Sequence, residues 1–265
     1  MRRNAVWGLI LLLIGALLLL DNFGYLAFLG VGVWQLIWPT ALIGLGVWFL
    51  IGARFAPSPE TRDLTIAREG TREAKLQIEY GAGEVLLDAG PPLDPLLTGA
   101  FDGGVSQRVT RTGDRAQVSL SSPSVTWGPW HWGPHMRRRW DIQVAQDVPL
   151  DMIVKTGASD CRFNLERLQV KRLRLDTGAS SIHVTLPAEA GTTEVTGASG
   201  AASLQLRIPK GVAARIQTEG GLSSTTVDQQ RFPRRGNTYQ SPDYETAENR
   251  VDIRLQMGVG SIDIR

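Results

Sequence analysis

Five segments of the chain repeat one pattern around a glycine, and that repeat limits the fold more than any other feature. They read LQIEYGAGEVLL, MIVKTGASDCRF, LRLDTGASSIHV, TTEVTGASGAAS and IRLQMGVGSIDI, aligned on Gly81, Gly157, Gly178, Gly197 and Gly258. A looser copy, RIQTEGGLSSTTV, surrounds Gly220 and Gly221. In the central run the glycines step by 21, 19 and 24 residues. Four residues after each aligned glycine come Val85, Cys161, Ile182, Ala201 and Ile262; six after come Leu87, Phe163, Val184, Ser203 and Ile264. These columns are mostly apolar and two apart, so they face one side of a strand, while Arg162, His183 and Asp263 face the other. One strand–turn–strand unit buries too little by itself; a stack of them makes a continuous core. Glycine with small neighbours at the corner lets successive coils approach closely. High glycine with only 7% aromatic residues fits an all-β chain with many turns.

The repeat also decides how Asp176 is read. Leu173–Gly178 resembles the start of an aspartic protease half-site, which needs two carboxylates sharing one proton. There is one Asp-Thr-Gly in the chain, and Glu79, Lys155, Val195 and Gln256 occupy the same column elsewhere. A column that takes both charges and an apolar residue does not demand a carboxylate, so Asp176 is expected to be structural. Cys161 falls in a core column, where a free cysteine packs as a small hydrophobe. His183 is expected on the solvated face. No Gly-x-Ser-x-Gly elbow surrounds the corner serines, and Tyr80–Val85 lacks the third glycine of a dinucleotide fingerprint. One cysteine and three histidines leave little for a transition-metal site; His131 and His135 alone supply two ligands. The expectation is therefore no enzyme, no cofactor and no metal. A net charge of +2 gives no broad basic surface for nucleic acid.

The first 54 residues are unlike the rest. Ala5–Leu20 and Trp34–Gly52 carry no charge, and each approaches the length of about 20 residues needed to span a bilayer. Neither has a polar face, which argues against a soluble helical pair. A short Gly-rich turn joins them, so residues 1–54 are expected to form a transmembrane helical hairpin. Arg2, Arg3 and Arg54 flank the hairpin and its turn has no Lys or Arg. The positive-inside rule then puts both ends, and the C-terminal domain, in the cytoplasm. An extracytoplasmic domain is the alternative, should the first run fail to span or be cleaved. Residues 55–73, opening Pro-rich and polar, read as a linker, and 74–265 as the β domain.

One further segment stands out. Val125–Trp140 interleaves Trp127, Trp130, Trp132 and Trp140 with glycine and proline, and adds Arg137, Arg138 and Arg139. Two readings stand side by side. The tryptophans pack onto the β domain, since large aromatics gain by burial; or tryptophan and arginine form a loop that contacts a membrane or a protein partner.

The chain resembles a known family. LQIEYGAGEVLLDAG followed by DPLLTGAFDGGVSQRVTRTGD resembles the start of the toast-rack domain of LiaF-group bacterial membrane proteins. GLILLLIGALLLLDNFGYL and LIWPTALIGLGVWFLIG resemble the LiaI/LiaF-type transmembrane region. The resemblance covers nearly the whole chain. It implies a right-handed β-solenoid-like toast-rack behind the helical hairpin. It also implies a role in sensing or signalling envelope stress beside a partner such as a sensor kinase, and no catalytic motif. LiaF itself carries more spans than the two here. Similar domains have been labelled adhesins, which gives an outward-facing structural protein as the second reading. Self-association is left open.

Overall fold

The computed structural model describes residues 61–91, 95–123 and 138–265, together with Trp38, Leu42 and Gly44. Those three are helical, and Trp38 and Leu42 are exposed one turn apart. The rest of the expected hairpin lies outside the described residues. Among the described residues no helix is long and apolar enough to cross a membrane.

The described residues form thirteen strands: β1 (Thr61–Ile66), β2 (Glu73–Ala89), β3 (Leu97–Asp102), β4 (Ser106–Thr112), β5 (Arg115–Ser121), β6 (Arg139–Val144), β7 (Leu150–Asn164), β8 (Val170–Thr185), β9 (Thr192–Arg207), β10 (Ala213–Val227), β11 (Arg234–Arg235), β12 (Thr238–Gln240) and β13 (Arg250–Ile264). The six long strands stack in parallel in the order β2, β7, β8, β9, β13, β10. In the β7–β8 pair Leu150 stands opposite Val170 and Asn164 opposite Thr185. A straight strand of this length spans about 50 Å, yet residues 165–169 alone join the end of β7 to the start of β8. That connection reaches about 20 Å at most, so each long strand must double back on itself. The bend falls at the glycine row.

Burial records the bend. Leu150, Met152 and Val154 face inward on the first arm of β7, and Cys161 and Phe163 on the second. The inward phase slips at the corner, where Gly157 and Ala158 are both exposed. The same slip recurs in β8, where Leu173 and Leu175 precede and Ile182 and Val184 follow. Thr156, Ser159, Thr177 and Ser180 are the buried polar residues beside these corners. Their hydroxyls meet one another: Thr156 and Ser180 at 3.3 Å, Thr177 and Ser199 at 2.9 Å. A buried hydroxyl without a partner would cost about 1–3 kcal/mol, and this ladder removes that cost.

On the outer side of the first arms, Lys75, Asp151, Arg172, Glu194, Asp252 and Arg215 stand in one row across the stack. Charges alternate along it except at Glu194 and Asp252. Arg254 bridges that like-charged step, at 3.2 Å from Glu194 and 3.3 Å from Asp252. Exposed pairs stabilise little, about 0–1 kcal/mol each, but a one-residue slip would break the whole row.

Two expectations are revised, and the order of the stack departs from the order of the sequence. The segment read as a linker contains β1, which pairs with β3 along its full length and buries Ile66; its TRDLTI alternation supplies a strand, so the β domain begins by Thr61. In β9 the aligned glycine is Gly200, not Gly197: Thr177 stands opposite Ser199 and Ala179 opposite Ala201. The columns after it then hold Leu204 and Leu206, both buried, in place of Ala201 and Ser203. Finally, β13 does not follow β10 in the stack but lies between β9 and β10. Its inward residues Val251, Ile253, Leu255, Ile262 and Ile264 are all apolar and buried, whereas the second arm of β10 turns Ser223 and Thr225 inward. The more apolar strand takes the interior place.

Candidate functional site: the seats of the tryptophan–arginine segment

Among the described residues Trp140 is the largest fully buried side chain, at 0% exposed. It lies in β6, which pairs in parallel with the second arm of β2 and antiparallel with β3. This register places it between two aromatic neighbours. Phe101 meets it edge-on at 5.1 Å between ring centroids, and Tyr80 at 4.7 Å with the planes tilted. Trp140 is therefore core, and it leaves the group of residues available for contact.

The cluster fixes the chain immediately before it. The Tyr80 hydroxyl donates to the Arg138 carbonyl at 2.7 Å, and the Glu84 amide donates to the same oxygen at 2.9 Å. Gly83, between them, has φ +131°, and a Cβ there would run into both the Arg138 carbonyl and the Tyr80 hydroxyl. Only glycine serves at this position. Burial pushes the Tyr80 phenol up to about 12, so it remains a donor across the physiological range. On the other side, the Ser122 amide donates to the Glu79 carbonyl at 3.0 Å. Ser122, three residues before the tryptophan–arginine segment, and Arg138, near its end, are thus both bonded to the corner of β2. Arg139 is about half exposed and lies near Glu84 and Asp141. Arg138 is partly buried. Trp127, Trp130, Trp132 and Arg137 lie outside the described residues.

Tyr80 was hidden in the sequence. Its column holds Thr156, Thr177, Ser199 and Met257 in the other coils, and only at the β2 end of the stack does a long hydroxyl side chain have a carbonyl to reach. The Tyr-Gly-Ala-Gly run was the available signal.

The residues that suggested chemistry are dispersed. Asp176 pairs with Arg174 at 2.9 Å on the outer surface. It shares a shallow open hollow of about 660 Å³ with Glu219, but Ala198 and Gln256 stand between them in the register. Three strand spacings, roughly 14 Å, separate the two carboxylates, too far to share a proton. Cys161 is buried, and burial pushes its thiol up to about 11; a reactive thiol needs the opposite shift. His183 sits in the outward row between Arg162 and Gln205. That row floors an open groove of about 1170 Å³ on the second arms, with acids and bases intermixed around it. Among the described residues no three His, Cys, Asp or Glu side chains converge as metal ligands.

Comparison with known proteins gives the following. Residues 55–207 match the family described as the N-terminal domain of toast_rack, DUF2154. Residues 5–50 match the LiaI-LiaF-like transmembrane region. The fold is similar to the crystal structure of a candidate cell adhesion protein from Clostridium sporogenes. The TM-score is 0.70 at 18% identity, covering 78% of this chain and 98% of that one. A candidate adhesin from Bacteroides fragilis aligns over 78% of this chain and 96% of its own at 10% identity, with a TM-score of only 0.26. No curated protein matches.

Proposed function

The chain belongs to the toast-rack family and carries a LiaI-LiaF-like transmembrane region, and from that premise we propose a non-enzymatic, membrane-anchored regulator of envelope stress that acts by protein–protein contact. The N-terminal region is a two-helix hairpin over residues 1–54 with both ends in the cytoplasm, so the toast-rack works on the cytoplasmic side. The coils wind to the right, the hand that parallel strand connections take in about 98% of cases. The working surface is the segment carrying Trp127, Trp130, Trp132, Arg137, Arg138 and Arg139. Its partner is another membrane or envelope protein of the sensor-kinase kind.

One observation supports this most: the described residues on either side of Trp127, Trp130 and Trp132 are bonded to the β2 corner, Ser122 to Glu79 and Arg138 to Tyr80 and Glu84. A contact loop anchored at both ends loses less freedom on binding than a free one.

The test has two arms. A reporter fused after Arg265 is expected to give a cytoplasmic signal. An exported signal would overturn that orientation and favour the second reading, an outward-facing structural protein, to which the fold shared with the Clostridium sporogenes protein is suited. Replacing Trp127, Trp130 and Trp132 by Ser is expected to abolish co-purification of the membrane partner and leave the melting temperature unchanged. Unchanged co-purification would refute the contact segment.

A further inference from the structure

The structure leaves one strand edge without the protection that edges ordinarily carry. β10 is paired with β13 along its whole length on one side. On the other side β12 covers only Arg215 and Ile216. Among the described residues no strand pairs with the Gln217–Val227 edge. Natural edge strands are blunted by charge, proline or a bulge. The β4 edge carries Arg108 and Arg111, and the β1 edge carries Arg62 and Asp63. Gln217–Val227 has a single charge, Glu219, and no proline, and its Thr and Val residues favour strand pairing. At its corner Leu222 is 82% exposed, beside Val259 at 52%. They are the exposed large hydrophobic residues of the described β domain.

We propose that this edge is the seam of a two-fold homodimer, occupied by the same edge of a second copy. The symmetry of the corner sets the register. In each coil two consecutive corner residues face outward, here Gly221 and Leu222. A two-fold axis between them carries inward-facing residues onto inward-facing residues. Gly221 then stands opposite Leu222 of the second copy, Thr218 opposite Thr225, Glu219 opposite Ser224, and Gln217 opposite Thr226.

Each property of the edge finds a use in this pairing. No like charges face each other. Each Leu222 lies over a glycine with no side chain to resist it, and the two Leu222 and two Val259 side chains gather on the axis as one apolar patch. Ile216, where the cover by β12 stops, falls opposite Val227, where the strand ends; the seam finishes where each hairpin begins. An unrelated straight strand would follow only one arm, because the edge bends at Gly221. A second copy has the same bend built in. A ladder of this length buries less than the roughly 1,600 Å² of a standard interface, so the dimer is weak in dilute solution and favoured where the chains are concentrated in a membrane.

The test uses the full chain reconstituted in vesicles of phosphatidylethanolamine and phosphatidylglycerol. Cys161 is buried, so Leu222→Cys supplies an accessible thiol at the axis. Mild oxidation is expected to give a disulfide-linked dimer, while Arg167→Cys, in the β7–β8 turn, gives none. In the Leu222→Cys background, Ser224→Glu sets a carboxylate against Glu219 of the second copy at both symmetric positions and lowers the yield about fivefold; Ser224→Lys, facing the same Glu219, preserves it. Circular dichroism confirms that each variant is folded. A folded Leu222→Cys chain that stays monomeric overturns the proposal. So does a cross-link within one chain, or equal loss of dimer with Ser224→Glu and Ser224→Lys.

Discussion

Gly157 lies directly against Gly81: a Cβ built on Gly157 would sit 2.5 Å from the Gly81 carbonyl oxygen. The contact repeats along the stack, with Gly178 at 2.8 Å from the Gly157 oxygen and Gly258 at 2.7 Å from the Gly200 oxygen. The obstacle in each case is backbone, so a side chain can be admitted only by separating two coils. Gly157→Ala is expected to cost about 1–3 kcal/mol, the usual range for overpacking. Gly81→Ala meets nothing within 4 Å among the described residues and is expected to be near neutral. Thermal unfolding of the full chain in detergent, followed by circular dichroism, separates the two; equal effects would mean that stack position is immaterial.

The four tryptophans of Val125–Trp140 are expected to differ in role. Trp140→Ala empties a site between Tyr80 and Phe101 and is expected to cost about 3–5 kcal/mol, enough to remove most of the stability of an ordinary domain. Trp130→Ala is expected to leave the melting temperature within about 2 °C and to weaken partner capture instead. A large loss of stability from Trp130→Ala would place that side chain in the core with Trp140.

How much of this was legible in the sequence depends on the residue. The apolar columns through Cys161, Phe163, Ile182 and Val184 gave the inward face directly, because alternation is a local property. The β9 copy misled because it holds two similar triplets, Gly197-Ala198-Ser199 and Gly200-Ala201-Ala202. Matching by identity chose the first, while packing chose the second, which puts Leu204 and Leu206 into the core. Ala201 and Ser203 were the discordant members of otherwise apolar columns, and that discord was the readable warning. The place of β13 inside the stack was not legible from spacing, since a repeat implies sequential order. The composition of inward columns carries it: Ile262 and Ile264 belong in the interior, Ser223 and Thr225 at the end. Of the proposed contact segment, the sequence grouped Trp140 with the others because composition cannot tell an anchor from the segment it holds.

Alkaline pH should destabilise the fold through Tyr80 and Cys161. Both are acids whose neutral form is held by burial, raised to about 12 from 10.0 and to about 11 from 9.0. As pH rises past about 9, the unfolded chain loses these protons first, so it binds fewer protons than the folded chain and stability falls with pH. The contribution is complete below pH 9 and is lost between about 9 and 12. Tyr80→Phe is expected to lower stability at neutral pH by about 1 kcal/mol, the value of one hydrogen bond, and to flatten the alkaline decline. Melting temperatures from pH 7 to 11.5 for wild type, Tyr80→Phe and Cys161→Ala provide the check. A decline of the same steepness in all three would assign it to other groups.

Asp176 gives the sharpest contrast between resemblance and role. Its carboxylate pairs with Arg174, which is well exposed, and faces Lys155 on one side and Ala198 on the other. Such a pair contributes about 0–1 kcal/mol. A catalytic carboxylate of the two-Asp type would need a second one within a few ångströms, and Glu219 stands three strands away. Asp176→Asn keeps the shape and removes the charge. It is expected to shift the melting temperature by no more than about 2 °C and to leave any envelope-stress phenotype of the gene intact. Loss of that phenotype in a variant that is folded and membrane-inserted would return Asp176 to a functional role, and Glu79→Gln, in the same column, would then show whether the role belongs to the column or to this residue alone.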